Sequence, residues 1–107
     1  MKILVTGTSG LLGLNLCLAY WDSHTLLGLD RGKLHGTPFE LVRADLDDPA
    51  AASRLIDNLK PDAVIHTAAL ANLEKCEANP DGARYLNADV PGILAEAAAR
   101  ASVRFIH

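Results

Sequence analysis

Only two cysteines occur in the 107 residues, Cys17 and Cys76. They are too far apart for a CxxC pair and too few for a disulfide framework, so they read as buried thiols of a reducing compartment. Aromatic residues are scarce, at 5% of the chain, and no run of Lys or Arg exists: 10 basic side chains are dispersed among 13 acidic ones, for a net charge of −3. Phosphate backbones and anionic lipid surfaces require clustered positive charge, so neither a nucleic-acid nor a membrane partner is expected. No stretch approaches 18 uninterrupted apolar residues. The three aliphatics Ile3, Leu4 and Val5 are too few for a signal-peptide core, and a cytoplasmic protein is the expectation. No two of the four histidines have metal-ligand spacing, and no GxSxG elbow supplies a hydrolase nucleophile.

What is present describes one small globular domain. Half of the residues are apolar and 21% are charged, and a chain of this size buries roughly 65% of its unfolded surface without staples. Short β-rich runs alternate with longer helical stripes. Strands are predicted at Lys2 to Thr6, Thr25 to Leu29 with Asp30 at its end, Phe39 to Arg43, Ala63 to Thr67 and Val103 to Ile106. A helix from Leu11 to Trp21 has almost no polar face beyond Asn15 and should therefore be covered on more than one side. Asp48 followed by Pro49 is a helix start, and Pro61 closes the apolar stripe of Ala52, Leu55, Ile56 and Leu59. After a polar connection from Asn72 to Pro80, a long helix is expected from Asp81 to Ala101. Pro91 and Gly92 interrupt it, and because Pro91 has no N–H for the Asn87 carbonyl, a bend or bridging group belongs at that turn. The segment from Asp30 to Phe39 is too short for a full helical crossover. Alternating strands and helices imply βαβ units and a parallel sheet covered on both faces.

The strongest constellation is Gly7, Gly10 and Gly13 in TGTSGLLG, directly after the first strand and opening the first helix. Gly7 permits the tight turn, Gly10 lets backbone N–H groups approach a pyrophosphate, and Gly13 allows close helix-to-strand packing. Phosphates would lie at the helix N-terminus, where N–H groups and the positive end of the helix dipole converge. A turn with a helix-packing glycine is the plainer alternative, and the strand before and acidic residue after favour the nucleotide. No Lys-Ser or Lys-Thr follows Gly13, which excludes a P-loop. Asp30 stands where a carboxylate would accept the ribose hydroxyls, and Arg31 beside it could instead meet a 2′-phosphate; the pair leans toward NAD over NADP. Asp45 could accept from the adenine amino group while Leu46 covers the ring, whereas Asp47 and Asp48 suit helix capping. Thr67, Ala68 and Ala69 are small residues where either a ligand or tight packing presses on backbone. Asn87 falls on the apolar stripe, so its amide should face the sheet.

These segments together, MKILVTGTSGLLG, LGLDR, RADL, PDAVIHTAAL and CEANPDGARYLNADVPGILAEAAA, resemble the extended short-chain dehydrogenase/reductase family, in its dTDP-4-dehydrorhamnose reductase-like, nucleotide-sugar branch. The resemblance runs through nearly the whole chain. It implies a Rossmann-type, doubly wound α/β sheet of about five parallel strands in the order 3-2-1-4-5 that binds NAD or NADP. The pyrophosphate would lie over Gly7, Ser9, Gly10, Leu11, Leu12 and Gly13, the adenosine near Asp30, Arg31, Asp45 and Leu46, and the nicotinamide-side ribose along Thr67, Ala68 and Ala69. Asn87 would have a structural role.

Catalysis in that family uses a Ser or Thr after the fifth strand and a Tyr-x-x-x-Lys pair beyond it. Here Tyr20 is followed four places on by His24 and Tyr85 by Asp89. The expectation is therefore a dinucleotide-binding domain over residues 1–107, the N-terminal portion of a larger reductase or epimerase, truncated before the catalytic half and substrate lobe. The nucleotide-sugar substrate would bind only to the full-length parent. The alternative is a non-catalytic regulatory or interaction domain, since this branch includes a regulatory partner of methionine adenosyltransferase. Homo-oligomer formation through an exposed sheet edge or the first helix is also expected.

Overall fold

A computed structural model describes residues 1–69 and 73–107. Five parallel strands form one sheet in the order β3-β2-β1-β4-β5: β1 (Lys2–Thr6), β2 (Thr25–Asp30), β3 (Glu40–Arg43), β4 (Ala63–His66) and β5 (Arg104–Ile106). The register is continuous, with Leu4 opposite both Leu27 and Val64, and Val64 opposite Phe105. Parallel neighbours need crossovers long enough to return the chain, and helices α1 (Leu11–Tyr20), α2 (Pro49–Leu59) and α5 (Val90–Arg100) supply them. Between β2 and β3 the connection contains no helix.

Side chains alternate across each strand, so the sheet has two apolar faces. Leu4, Leu27, Leu29 and Val64 pack with Ala52, Leu55 and Ile56 of α2 and Val90, Leu94 and Ala97 of α5. On the other face Val5 and Leu26 pack with Cys17 of α1 and Phe39. Burial pushes the Cys17 thiol up to about 11, as expected for an inert core thiol, whereas Cys76 is only half-buried.

Helix α2 starts as its sequence requires: an Asp48 carboxylate oxygen accepts from the Ala50 N–H at 3.0 Å. Its stop also obeys a local rule, with Lys60 in the left-handed conformation just before Pro61.

Three expectations require correction. The connection before Pro80 carries a short helix, α3 (Leu73–Ala78), while the expected loop residue Asn72 lies outside the described residues. The long helix divides into α4 (Pro80–Arg84), a π-helical turn (Tyr85–Asp89) and α5. Pro91 explains the wide turn: it cannot donate to Asn87, and the Val90 N–H reaches back five residues to the Tyr85 carbonyl. The extra residue shifts the phase of the apolar stripe, so Tyr85 and Leu86 turn partly inward and Asn87 is exposed rather than facing the sheet. Finally, α1 is covered on one side only. Leu11 is 85% exposed and Leu12 63%, and Tyr20 and Trp21 are exposed as well.

Candidate functional site

The strand order reverses beside β1, which lies between β2 and β4. In open α/β sheets the crevice outside the carboxyl ends of the strands at such a reversal is where ligands bind. A cleft of about 340 Å³ occupies that position, within the range of small-molecule sites. Its centre is the turn from β1 into α1. Gly7 has φ of +70°, and a Cβ there would lie 2.6 Å from the Thr67 hydroxyl oxygen and 2.7 Å from the Ala68 nitrogen. A Cβ on Gly13 would run into the Gly7 carbonyl oxygen. Helix, turn and β4 loop thus meet backbone to backbone, which only glycines allow.

The turn leaves the start of α1 open. Gly10 is the N-cap in extended conformation, no side chain caps the helix, and its first turn carries no acidic residue. Backbone N–H groups and the positive dipole end therefore face the cleft beside exposed Ser9 without a competing carboxylate of their own helix. A diphosphate fits this cradle.

Asp30 ends β2 and is 5% exposed, at the wall of the cleft. One carboxylate oxygen accepts from the Gly32 and Leu34 N–H groups at 2.9 Å each. Burial pushes this carboxyl up, but the N–H groups of Leu34, Gly32, Lys33 and Arg31 more than offset it, and its pKa lies below the ordinary carboxylate value. Asp30 thus organises the loop after β2 as well as presenting a fixed negative charge. Arg31 reaches across to Asp47 at 3.6 Å and Asp45 at 4.0 Å. All three side chains are more than half exposed, so these ion pairs are weak and solvent-screened. Asp47, expected only as a capping acid, lines the cleft opposite Arg31, while Asp48 does the capping.

The structure brings Gly7, Ser9, Gly10, Asp30, Arg31, Asp45, Leu46, Thr67, Ala68 and Ala69 to one cleft. Leu11 and Leu12, at the start of α1, do not line it and are exposed. Gly13 lies behind the turn, buried against Gly7. Sequence reasoning missed Leu29, Lys33, Ala44 and Leu86. Leu29 and Ala44 flank residues that were singled out, and a strand-end rule would have included them; Lys33 comes from the loop after β2 and Leu86 through the π-helical turn, and neither left a local signal. Among the described residues no cluster of His, Cys, Asp or Glu could hold a metal ion, and no helix is long and apolar enough to cross a membrane.

Residues 1–107 match a family described as the RmlD substrate binding domain. The dTDP-4-dehydrorhamnose reductase of Burkholderia thailandensis is 33% identical over 107 residues, covering 100% of this chain and 33% of the relative. Among solved structures, a hypothetical dTDP-4-dehydrorhamnose reductase from Sulfolobus tokodaii superposes with a TM-score of 0.90 at 25% identity, covering 100% of this chain and 38% of that one. The Bordetella bronchiseptica enzyme WbmH, solved in complex with NAD+, gives a TM-score of 0.77 at 26% identity, over 97% of this chain and 37% of that one. The chain spans about a third of the length of the curated relative.

Proposed function

Because the chain belongs to the RmlD substrate binding domain family, we propose that it is the dinucleotide-binding portion of a nucleotide-sugar reductase or epimerase, holding NAD or NADP in the cleft at the strand-order reversal. The observation that carries this reading is the Gly7–Gly13 turn, wedged between α1 and the β4 loop so that uncapped helix N–H groups face a cleft of dinucleotide character. The pyrophosphate lies at the N-terminus of α1. The adenosine takes the flank between Asp30 and Leu46, and the nicotinamide-side ribose runs along Thr67, Ala68 and Ala69. Asp30, ionised and fixed, suits ribose hydroxyls, while Arg31 is already partly neutralised by Asp45 and Asp47, and the balance favours NAD.

A bound nicotinamide supplies hydride transfer; the residues here bind and orient it. Neither Tyr20 nor Tyr85 has a lysine four places on, so these 107 residues hold no tyrosine–lysine pair for the proton. The reaction on a nucleotide sugar belongs, in this reading, to the longer protein. Self-association through the uncovered side of α1 or the β5 edge is part of the same proposal.

A thermal-unfolding series with NADH, NADPH and no ligand tests it. A ligand that binds only the folded state adds about 2.7 kcal/mol at a hundredfold excess over its dissociation constant. Stabilisation by both nucleotides, larger with NADH, is the expected result. No shift with either would overturn the reading.

A further inference from the structure

His66 ends β4 almost completely buried, 3% exposed, on the closed face of the sheet where no ligand is proposed to sit. Its Nδ1 lies 2.7 Å from the Thr6 hydroxyl oxygen. That same oxygen accepts from the Thr67 N–H at 3.1 Å and the Ala68 N–H at 3.2 Å. A hydroxyl has two acceptor positions and one proton. With both acceptor positions taken by amides, the Thr6 proton is left for His66 Nδ1, an arrangement that calls for the neutral ring protonated on Nε2, whose buried N–H has no hydrogen-bond partner among the described residues. Thr67 adds a return bond, its hydroxyl donating to the Thr6 carbonyl at 2.6 Å. The ring is held from behind by Phe105 and His107, with ring centroids at 6.0 and 5.3 Å.

We propose that His66 is a positioning residue for dinucleotide binding: by accepting the Thr6 proton it orients that hydroxyl toward the Thr67 and Ala68 amides and so sets the β4 wall of the cleft against Gly7. The inference rests on the dinucleotide reading of that cleft. The wall has little freedom to compensate, because Gly7 already lies in contact with Thr67 and Ala68. An imidazole is not required as such. What the site needs is an uncharged acceptor at the Nδ1 position, and the side-chain oxygen of an asparagine can stand there.

The test titrates NADH into the wild-type chain, His66→Asn and His66→Leu, alongside the long-range ¹H–¹⁵N spectrum of the His66 ring and amide exchange at Ala68. Asn should bind within about threefold of the wild type and Leu about tenfold more weakly, the loss expected for one hydrogen bond. The wild-type spectrum should show the Nε2–H form and the Ala68 amide should exchange slowly. Equal binding by Leu and wild type, equal weakening in Asn and Leu, or an Nδ1–H ring would each overturn the proposal. If Leu does not fold, the wild-type spectrum and the Asn variant decide. Failure of the wild type to bind NADH while the ring form and the slow Ala68 amide persist would overturn the dinucleotide reading itself; intact binding with a fast Ala68 amide would overturn only the role of His66.

Discussion

The two faces of the sheet are built from similarly apolar strands and meet different fates. On one, α2 and α5 bury Leu4, Val64, Val90, Leu94 and Ala97 to 0% exposure. On the other, α1 covers Val5 and Leu26 but leaves Leu11, Leu12, Leu18 and Trp21 exposed, beside an apolar hollow of about 210 Å³ lined by Ile3, Leu16, Tyr20 and Ile65. Asn15, the one polar side chain of α1, bonds back to the Leu11 carbonyl of its own helix at 2.7 Å. Apolar composition alone therefore does not report burial here; the number of helices on a face does. The cleft needs neither face to be complete, since it is made from strand ends and the loops between them.

The largest effect that would sharpen this contrast is cavity formation on the closed face. Leu94→Ala should cost about 2–5 kcal/mol in denaturant unfolding, because Leu94 is fully enclosed between α5 and the sheet. The closed face also carries an acid-sensitive group. Burial, and then the nearby His107, drive His66 down to about 4 from its ordinary 6.5. The unfolded chain therefore binds the proton more readily, so the stabilisation is fully present above pH 6.5 and is lost as pH falls toward 4, by about 3 kcal/mol. His66→Asn should flatten the stability profile in that window and leave it unchanged below, where Asp30, whose carboxyl lies below its ordinary value, takes over. A wild-type profile already flat between pH 6.5 and 4 would break this account. Smaller still is the cap of α2: Asp48→Ala should lower the unfolding midpoint by the equivalent of about 1 kcal/mol.

Much of this arrangement was legible in residue order. The five strands and helix α2 follow from period, caps and breakers, and Gly7, Gly10, Asp30 and Thr67 reach one cleft because each ends a strand or opens the helix after it. What was not legible depended on tertiary geometry. Pro91 announced an interruption, but not that it would take the form of a π-helical turn that exposes Asn87 and carries Leu86 to the cleft. Asp47 read as a helix acid because its sequence neighbours a cap; its closeness to Arg31 depends on the β2 loop folding over Asp30. Thr6 and His66 gave no signal, since a strand pattern reports which face a residue takes and says nothing about cross-strand hydrogen bonds.

A modest stability effect is expected on the open face, where association carries the information. Leu18 is 47% and Trp21 44% exposed, so each buries about half of its side chain; a lysine stem can cover part of the same surface, and the double replacement should cost about 1 kcal/mol per site, less than at the enclosed Leu94. Association should respond strongly. Leu18 lies on α1 with Leu11 and Leu12, and Trp21 caps its end; all four are exposed, and apolar side chains left in water favour association. In sedimentation velocity the wild-type chain should self-associate with rising concentration, and the Leu18→Lys, Trp21→Lys variant should remain monomeric with its NADH-induced thermal shift intact. A wild type that stays monomeric at high concentration would show that an open face tolerates water, and the contrast between the two faces would then concern packing alone. Association that survives in the variant would move the contact to the β5 edge, where Ile106 is 57% exposed and the strand has no partner on its outer side among the described residues.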